Sequence, residues 1–369
     1  MNLYPSLVLE ALAHVRYPGT GKDIVSSGMV QDDVRIEGNK VSFSIIFEKQ
    51  NDPFVKSVIK AAETAILTYI GEDVDIKGNI NAVQKEAPKP KPVSILPGVK
   101  NIIAVFSGKG GVGKSTVSSN LAIALASLGY KVGLLDADIH GPSMPKMFGV
   151  EDARPLMEDV DGKQMIMPIE KYGVKLLSIG FFVDPENALV WRGSMASNAL
   201  KQLITDANWG DLDYFVMDLP PGTGDIHLTL VQTMGITGAV VVTTPQDVAL
   251  ADARKGVNMF TGDKINVPVL GLIENMSWFT PAELPDNKYF IFGKDGGKRL
   301  AEELGIPLLG QIPVVQSIRE GGDAGRPIAV DENSITGIAF HRLAQEVIVR
   351  VNQRNTQMDP TKKVEIARS

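Results

Sequence analysis

The chain contains no cysteine. Disulfides, thiolate nucleophiles and cysteine metal ligands are therefore excluded from anything it does by itself. Histidine is nearly as scarce: His14, His140, His227 and His341 are scattered without ligand spacing, so packing or surface roles are the simpler reading. No apolar run approaches the roughly 18 residues that a membrane-spanning helix needs, and no basic segment leads into an apolar one at the N-terminus. The sequence reads as a soluble, cytoplasmic protein with no membrane partner. Positive charge is not in excess either. The formal net charge is -6, which argues against nucleic acid as a partner. What is present is ample: 369 residues, 44% hydrophobic and 22% charged, enough for a large core and more than one domain. No internal repeat is evident.

One stretch organises the rest. Asn101-Ile102-Ile103-Ala104-Val105-Phe106 is an apolar strand, Thr116 to Leu128 has helical apolar spacing, and between them runs Ser107-Gly108-Lys109-Gly110-Gly111-Val112-Gly113-Lys114-Ser115. This satisfies G-x-x-x-x-G-K-[ST], in which each residue type has a chemical reason. Glycines at 108, 110, 111 and 113 let the backbone N–H groups from Gly108 to Thr116 turn inward around phosphates, and the helix N-terminus adds partial positive charge. Lys114 then reaches the β- and γ-phosphates, and the Ser115 hydroxyl ligates Mg²⁺. The expected cofactors are ATP and Mg²⁺.

Lys109, directly after the first glycine, cannot easily fold back onto phosphates held by its own loop. It can reach those held by a second subunit. Here the sequence resembles the deviant P-loop ATPases, the class of MinD, ParA and the nitrogenase iron protein. That resemblance implies a nucleotide-sandwich homodimer.

Residues 1–83 read as a small α+β domain. Leu3 to Val15 and Pro53 to Tyr69 are expected helices; Val30 to Ile36, Val41 to Phe47 and Val74 to Ile80 are expected strands, with a turn at Glu37-Gly38-Asn39-Lys40. The α-β-β-α-β order, with Asp23-Ile24-Val25-Ser26-Ser27-Gly28-Met29-Val30, resembles the small domain of iron–sulfur assembly factors. Where that family often has a cysteine before a proline, this chain has Asp52-Pro53, so a docking module without chemistry is preferred. Residues 84–98 interleave Pro88, Pro90, Pro92 and Pro97 with lysines, as an extended linker does.

From Val99 to Gln353, short apolar strands alternate with helical stretches, the pattern of a parallel sheet covered by helices on both faces. The fold expected is thus an α/β P-loop NTPase domain preceded by the small α+β domain, with a loose tail over 354–369. Lys131 to Leu135 delivers Asp136-Ala137-Asp138, and Tyr214 to Met217 delivers Asp218 followed by Leu219-Pro220-Pro221-Gly222-Thr223-Gly224. Acids at the C-terminal ends of parallel strands lie where ligands bind in this architecture. An Asp placed as Asp218 is holds Mg²⁺, usually through water. The class resemblance assigns Asp136 to the Mg²⁺ environment, Asp138 to orienting the attacking water, and Asn275 after Val269 to Ile273 to the adenine edge. Asp247 is an expected N-cap, Pro313 to Arg319 an expected cover for the base, and Ile335 to Val351 a terminal amphipathic helix.

Ala188-Leu189-Val190-Trp191-Arg192-Gly193-Ser194-Met195 resembles the Mrp/ApbC branch, with Ser194 where that family usually has proline. Arg192 either contacts the opposite subunit or caps the helix that follows. Mrp/ApbC proteins commonly carry C-x-x-C near Ser277 to Gly293, where two subunits share an iron–sulfur cluster. This chain has an aromatic, proline-containing loop there and no identifiable cluster ligand. The resemblance implies ATP-dependent carriage or assembly of iron–sulfur clusters, with apo iron–sulfur proteins or assembly scaffolds as partners. Two alternatives stay open: an ATP-gated scaffold that holds no cluster, and a MinD- or ParA-like positioning ATPase.

Overall fold

The computed structural model describes residues 3–31, 33–47, 52–84, 95–139, 141–182, 193–263, 265–281, 283–284 and 286–361. The chain divides into two compact units, residues 1–91 and 92–369.

The first unit runs α1 (Pro5–Leu12), β1 (Arg35–Glu37), β2 (Lys40–Phe47), α2 (Val55–Tyr69) and β3 (Ile80–Gln84). β2 is central, antiparallel to β1 and parallel to β3. Its inward residues Val41, Phe43 and Ile45 pack with Val8 and Leu12 of α1 and with Val58, Ala62 and Ile66 of α2. Two expected strands are corrected. The stretch expected over 30–36 pairs only at Arg35–Glu37, apart from a single bridge between Val30 and Ile45. The Asp33 carboxylate takes the Ser44 N–H at 2.9 Å and the Ser44 hydroxyl at 2.6 Å, replacing ladder bonds with side-chain ones. The last strand falls at 80–84 instead of 74–80, because Asn79 Nδ2 donates to the Asp75 carbonyl and closes that stretch as a turn. Of the expected linker, residues 85–94 lie outside the described residues.

The second unit opens with β4 (Val99–Phe106), α3 (Lys114–Ser127), β5 (Val132–Asp136) and the short α4 (Met144–Met147). A hairpin of β6 (Met157–Val160) and β7 (Lys163–Ile166) follows. Asp161 and Gly162, at φ 53° and 82°, make its two-residue turn, a backbone that favours such an Asp-Gly pair. Then come β8 (Ile169–Lys171), β9 (Val174–Ser178), α5 (Gly193–Thr205), β10 (Leu212–Asp218), α6 (Asp225–Thr233), β11 (Gly238–Thr243) and α7 (Asp247–Thr261). β12 (Val269–Phe279), α8 (Gly296–Leu304), β13 (Leu308–Val314), α9 (Gln316–Asp323) and α10 (Ile335–Gln357) complete it.

The sheet order is β13-β12-β11-β4-β10-β5-β9-β8, parallel throughout except where β8 runs against β9. Alternate residues of β4 feed two separate cores, as the period-2 geometry of a strand requires. Ile102, Ala104 and Phe106 pack with Leu200 of α5, Leu230 of α6, Val257 of α7 and Leu300 of α8. Ile103 and Val105 pack with Val117 and Leu121 of α3 and with Phe340, Leu343 and Val347 of α10. Both faces are therefore covered, which explains unbroken apolar runs such as Ile102 to Phe106 in β4 and Ala239 to Val242 in β11. Phe106 lies 4.5 Å from Phe260, and Phe106→Ala is worth about 3–5 kcal/mol of lost stability.

Two helix ends differ from expectation. Gln246, in extended conformation, precedes α7, so Asp247 is its first helical residue and not its cap. α10 continues to Gln357, past the expected end at Val351, and Arg354 turns inward to donate at 2.6 Å to the Asp359 carbonyl and the Thr361 hydroxyl. Residues 359–361 are thereby tied down, whereas the sequence pattern read a loose tail from 354 onward.

Candidate nucleotide site

The sheet order places the site. β4 lies between β10 and β11, and β10 pairs with β5 so that Asp218 and Asp136 are Cα partners at the C-terminal ends of neighbouring strands. Two acids 82 positions apart in the chain, as 218 and 136 number them, become side-by-side neighbours next to the loop.

The loop from Ser107 to Gly113 leads into α3. Gly113 has φ 82°, and a Cβ there would come within 2.2 Å of the Asn275 amide nitrogen. Gly108 is equally constrained: a Cβ would meet the Asp252 carbonyl carbon of α7 at 2.1 Å. Glycine at these two positions lets the loop close against β12 and α7.

Asp218 is the hub. Lys114 Nζ donates to its Oδ2 at 2.7 Å, Ser115 Oγ to the same oxygen at 2.6 Å, and Ser118 Oγ to Oδ1 at 2.6 Å. Lys114 and Asp218 are both buried. A carboxylate this deep is tolerated because a cation and two hydroxyls satisfy it. Asp138 Oδ2 lies 3.8 Å from Lys114 Nζ, so the expected water-orienting acid reaches the same cluster.

Asp136 is placed differently. Its Oδ2 accepts from Met144 N at 3.2 Å and Ser178 Oγ at 2.9 Å, and its Oδ1 accepts from Asp138 N at 3.2 Å. All three bonds serve its own chain, bracing the start of α4, the end of β9 and the backbone of Asp138. Burial, reinforced by the charge of Asp218, pushes its carboxyl up to about 7.

Asn275 is buried, and its Nδ2 donates to the Val112 carbonyl at 2.8 Å. One amide hydrogen is thus committed to the loop, leaving Oδ1 and the second hydrogen for a ligand. The next residue, Met276, stands at φ 56°, where the pairing of β12 with β13 becomes irregular. A cavity of about 410 Å³ opens here, lined by Gly113, Thr116, Asn275, Met276, Pro313 and Ile318 among others. The expected cover from Pro313 to Arg319 does form one of its walls. Lys109 is half-buried, and among the described residues no carboxylate lies within ion-pair distance of its side chain. Arg192 lies outside the described residues.

The aromatic stretch folds back on itself: Phe279 and Tyr289 exchange two backbone hydrogen bonds of 2.8 Å, and Lys288 lies over the Trp278 ring at 4.2 Å. In the first unit, Asp52 is buried, accepts from Phe54 N at 2.8 Å and is hydrogen-bonded by the Tyr17 hydroxyl. It holds the start of α2. Among the described residues, no group of three or more histidines and carboxylates is placed to hold a metal ion unaided.

Sequence reasoning missed Ser118 and Ser178. Ser118 carried a signal, since it stands four residues after Lys114 on the same face of α3. Ser178 carried none, because only the pairing of β5 with β9 brings it to Asp136.

Comparison with known families matches residues 98–348 to the NUBPL iron-transfer P-loop NTPase and residues 6–77 to an iron-sulfur cluster assembly protein. The iron-sulfur cluster carrier protein of Synechocystis sp. is 42% identical over 350 residues, 94% of this chain and 97% of that one. Its namesake in Escherichia coli is 52% identical over 256 residues, 69% of this chain and 68% of that one. Among solved structures, the nucleotide-binding protein of Archaeoglobus fulgidus in complex with ADP has a TM-score of 0.57 and 34% identity, covering 69% of this chain and 98% of that one. The cell division ATPase MinD of Pyrococcus furiosus has a TM-score of 0.50 at 24% identity over 68% of this chain and 98% of that one, a likeness of fold alone.

Proposed function

Because the chain belongs to the NUBPL iron-transfer P-loop NTPase family, we propose that it is a Mg²⁺-dependent, dimer-activated ATPase whose cycle serves the cytoplasmic delivery of iron–sulfur clusters to apoproteins. The observation that carries the ATPase half is the convergence of Lys114, Ser115 and Ser118 on Asp218. This donor set fits Mg²⁺, which favours one or two carboxylates together with substrate phosphates and water over an all-protein cage. Ser115 and Asp218 would hold the ion, and Asp136 would act behind them as a brace. When bound, Mg²⁺ offsets charge on the phosphate oxygens.

The residues of the chain supply the rest. Backbone N–H groups from Gly108 to Thr116 cradle the phosphates, and Lys114 leaves Asp218 for the β/γ-phosphate oxygens. Asp138 orients the attacking water, Asn275 and the cavity wall hold the adenine, and Lys109 reaches across to the nucleotide of a second copy of the chain. Catalysis then rests on positioning and charge stabilisation. ATP turnover by the full chain with Mg²⁺, with chelator, and with Lys114→Ala tests this; turnover indifferent to both would overturn it.

The cluster is cargo, and here the lack of cysteine favours a second reading, an ATP-gated scaffold that docks iron–sulfur proteins without holding a cluster. On that reading the first unit is the docking module. Anaerobic reconstitution with iron and sulfide, followed by desalting, metal and sulfide assay and visible absorption, separates the two. A stoichiometric coloured product supports carriage through oxygen, nitrogen or small-thiol ligands. A colourless protein that still hydrolyses ATP supports the scaffold.

A further inference from the structure

A buried histidine beside the loop that follows Asp218 has no part in the chemistry above. His227, in the first turn of α6, is 1% exposed. Its Nδ1 accepts the Gly224 N–H at 3.2 Å, which places the proton of the neutral ring on Nε2. Nε2 itself is buried and has no hydrogen-bond partner among the described residues. The backbone at Gly224 and at Pro220, the two ends of the loop, favours a proton on the ring against the effect of burial.

The surroundings explain why this ring is not simply core. Its edge meets Phe260 at 6.4 Å, and Phe260 packs on Phe106, the last residue of β4 before the phosphate loop. The other side of the same segment is sewn to that loop: Leu219 N donates to the Val105 carbonyl at 3.0 Å and Gly222 N to the Ser107 carbonyl at 2.9 Å. Burial holds the imidazole neutral, pushed down to about 4, and the charge of Lys114 works in the same direction. A neutral imidazole offers one acceptor and one donor, and here the acceptor is committed to Gly224 at one end of the loop while the donor is left over.

We propose that His227 is a positioning residue for ATP hydrolysis, whose ring ties the ends of the loop from Pro220 to Gly224 together. Nδ1 holds the Gly224 N–H, and Nε2–H closes onto the Pro220 carbonyl when the loop engages nucleotide. An orphaned buried donor is costly, so a small shift that brings Pro220 within reach is favoured. The tie fixes the backbone leaving Asp218 and, through Gly222 and Ser107, the start of the phosphate loop. This role rests on the ATPase reading and adds to it a residue that touches neither phosphate nor metal.

The test compares the full chain with His227→Phe, His227→Gln and His227→Asn in steady-state ATP turnover and in equilibrium ATP binding. Phe keeps the ring and loses both bonds; Gln restores a donor near the Nε2 position, and Asn an acceptor near Nδ1. The expected result is kcat lowered about tenfold or more in His227→Phe, with KM and ATP affinity changed less than about threefold. His227→Gln should turn over faster than His227→Phe. Should His227→Phe not fold, His227→Gln turning over faster than His227→Asn supports the tie, and Gln no faster than Asn overturns it. Wild-type kcat in His227→Phe, or ATP affinity falling in step with kcat, also overturns it. A wild-type chain that neither binds nor hydrolyses ATP overturns the ATPase reading instead.

Discussion

Lys114 Nζ lies 2.7 Å from Asp218 Oδ2, with both side chains closed off from solvent. On the reading proposed above, the lysine that would serve phosphate and the acid that would serve Mg²⁺ partner each other in this structure. On that reading, ATP binding exchanges one set of charge-assisted bonds for another.

Removing the acid alone strands a buried cation. Asp218→Ala should destabilise the nucleotide-free protein by about 3–5 kcal/mol in urea denaturation. A loss below about 1 kcal/mol would mean that Lys114 escapes to solvent at little cost.

Asp138 reaches Lys114 only at 3.8 Å, and its backbone is fixed through Asp136. Asp138→Asn preserves shape and removes the charge. Turnover should fall by about a hundredfold while ATP affinity stays within about threefold. Unchanged turnover would remove Asp138 from the hydrolytic step.

The Asn275 amide bridges the cavity to the phosphate loop through its 2.8 Å bond to Val112. Asn275→Ala breaks that bond and any contact with the base. ATP should bind about tenfold more weakly by isothermal titration, the equivalent of about one hydrogen bond.

His227 gives the native state a pH signature. Its ring is pushed down to about 4 by burial, from an ordinary value of 6.5, and the charge of Lys114 adds to this. The unfolded chain therefore binds more protons between those values, so stability is full above about pH 6.5 and declines as pH falls toward 4. The difference in unfolding free energy between wild type and His227→Gln, measured from pH 7 to 4, should shift against the wild type across that window. A pH-independent difference would show that His227 takes up its proton without penalty.

The strand, glycine loop and helix around Lys114 were legible in one dimension because such a loop depends on local backbone. Gly108 to Ser115 must be contiguous to form the loop, and Asp218 announces itself as an acid ending an apolar strand. The roles within the acid pair were not legible. Asp136 and Asp218 look alike in sequence, each at the end of a buried strand. Only the structure shows that Asp136 takes its donors from Met144, Ser178 and Asp138, while Asp218 gathers Lys114, Ser115 and Ser118.

The sequence by itself determined the alternation of strand and helix, the phosphate loop and the absence of thiolates, because each depends on residue type and short-range spacing. The tertiary structure alone decided which distant groups meet. Strand order put β10 between β4 and β5 and brought Ser178 to Asp136, and the packing around it seated Asn275 against Gly113 and buried His227 against Gly224. It also ended the small-domain strands early or late, where Asp33 and Asn79 outbid the ladder with their side chains. Such pairings depend on which strand lies beside which, and no window along the chain contains both partners.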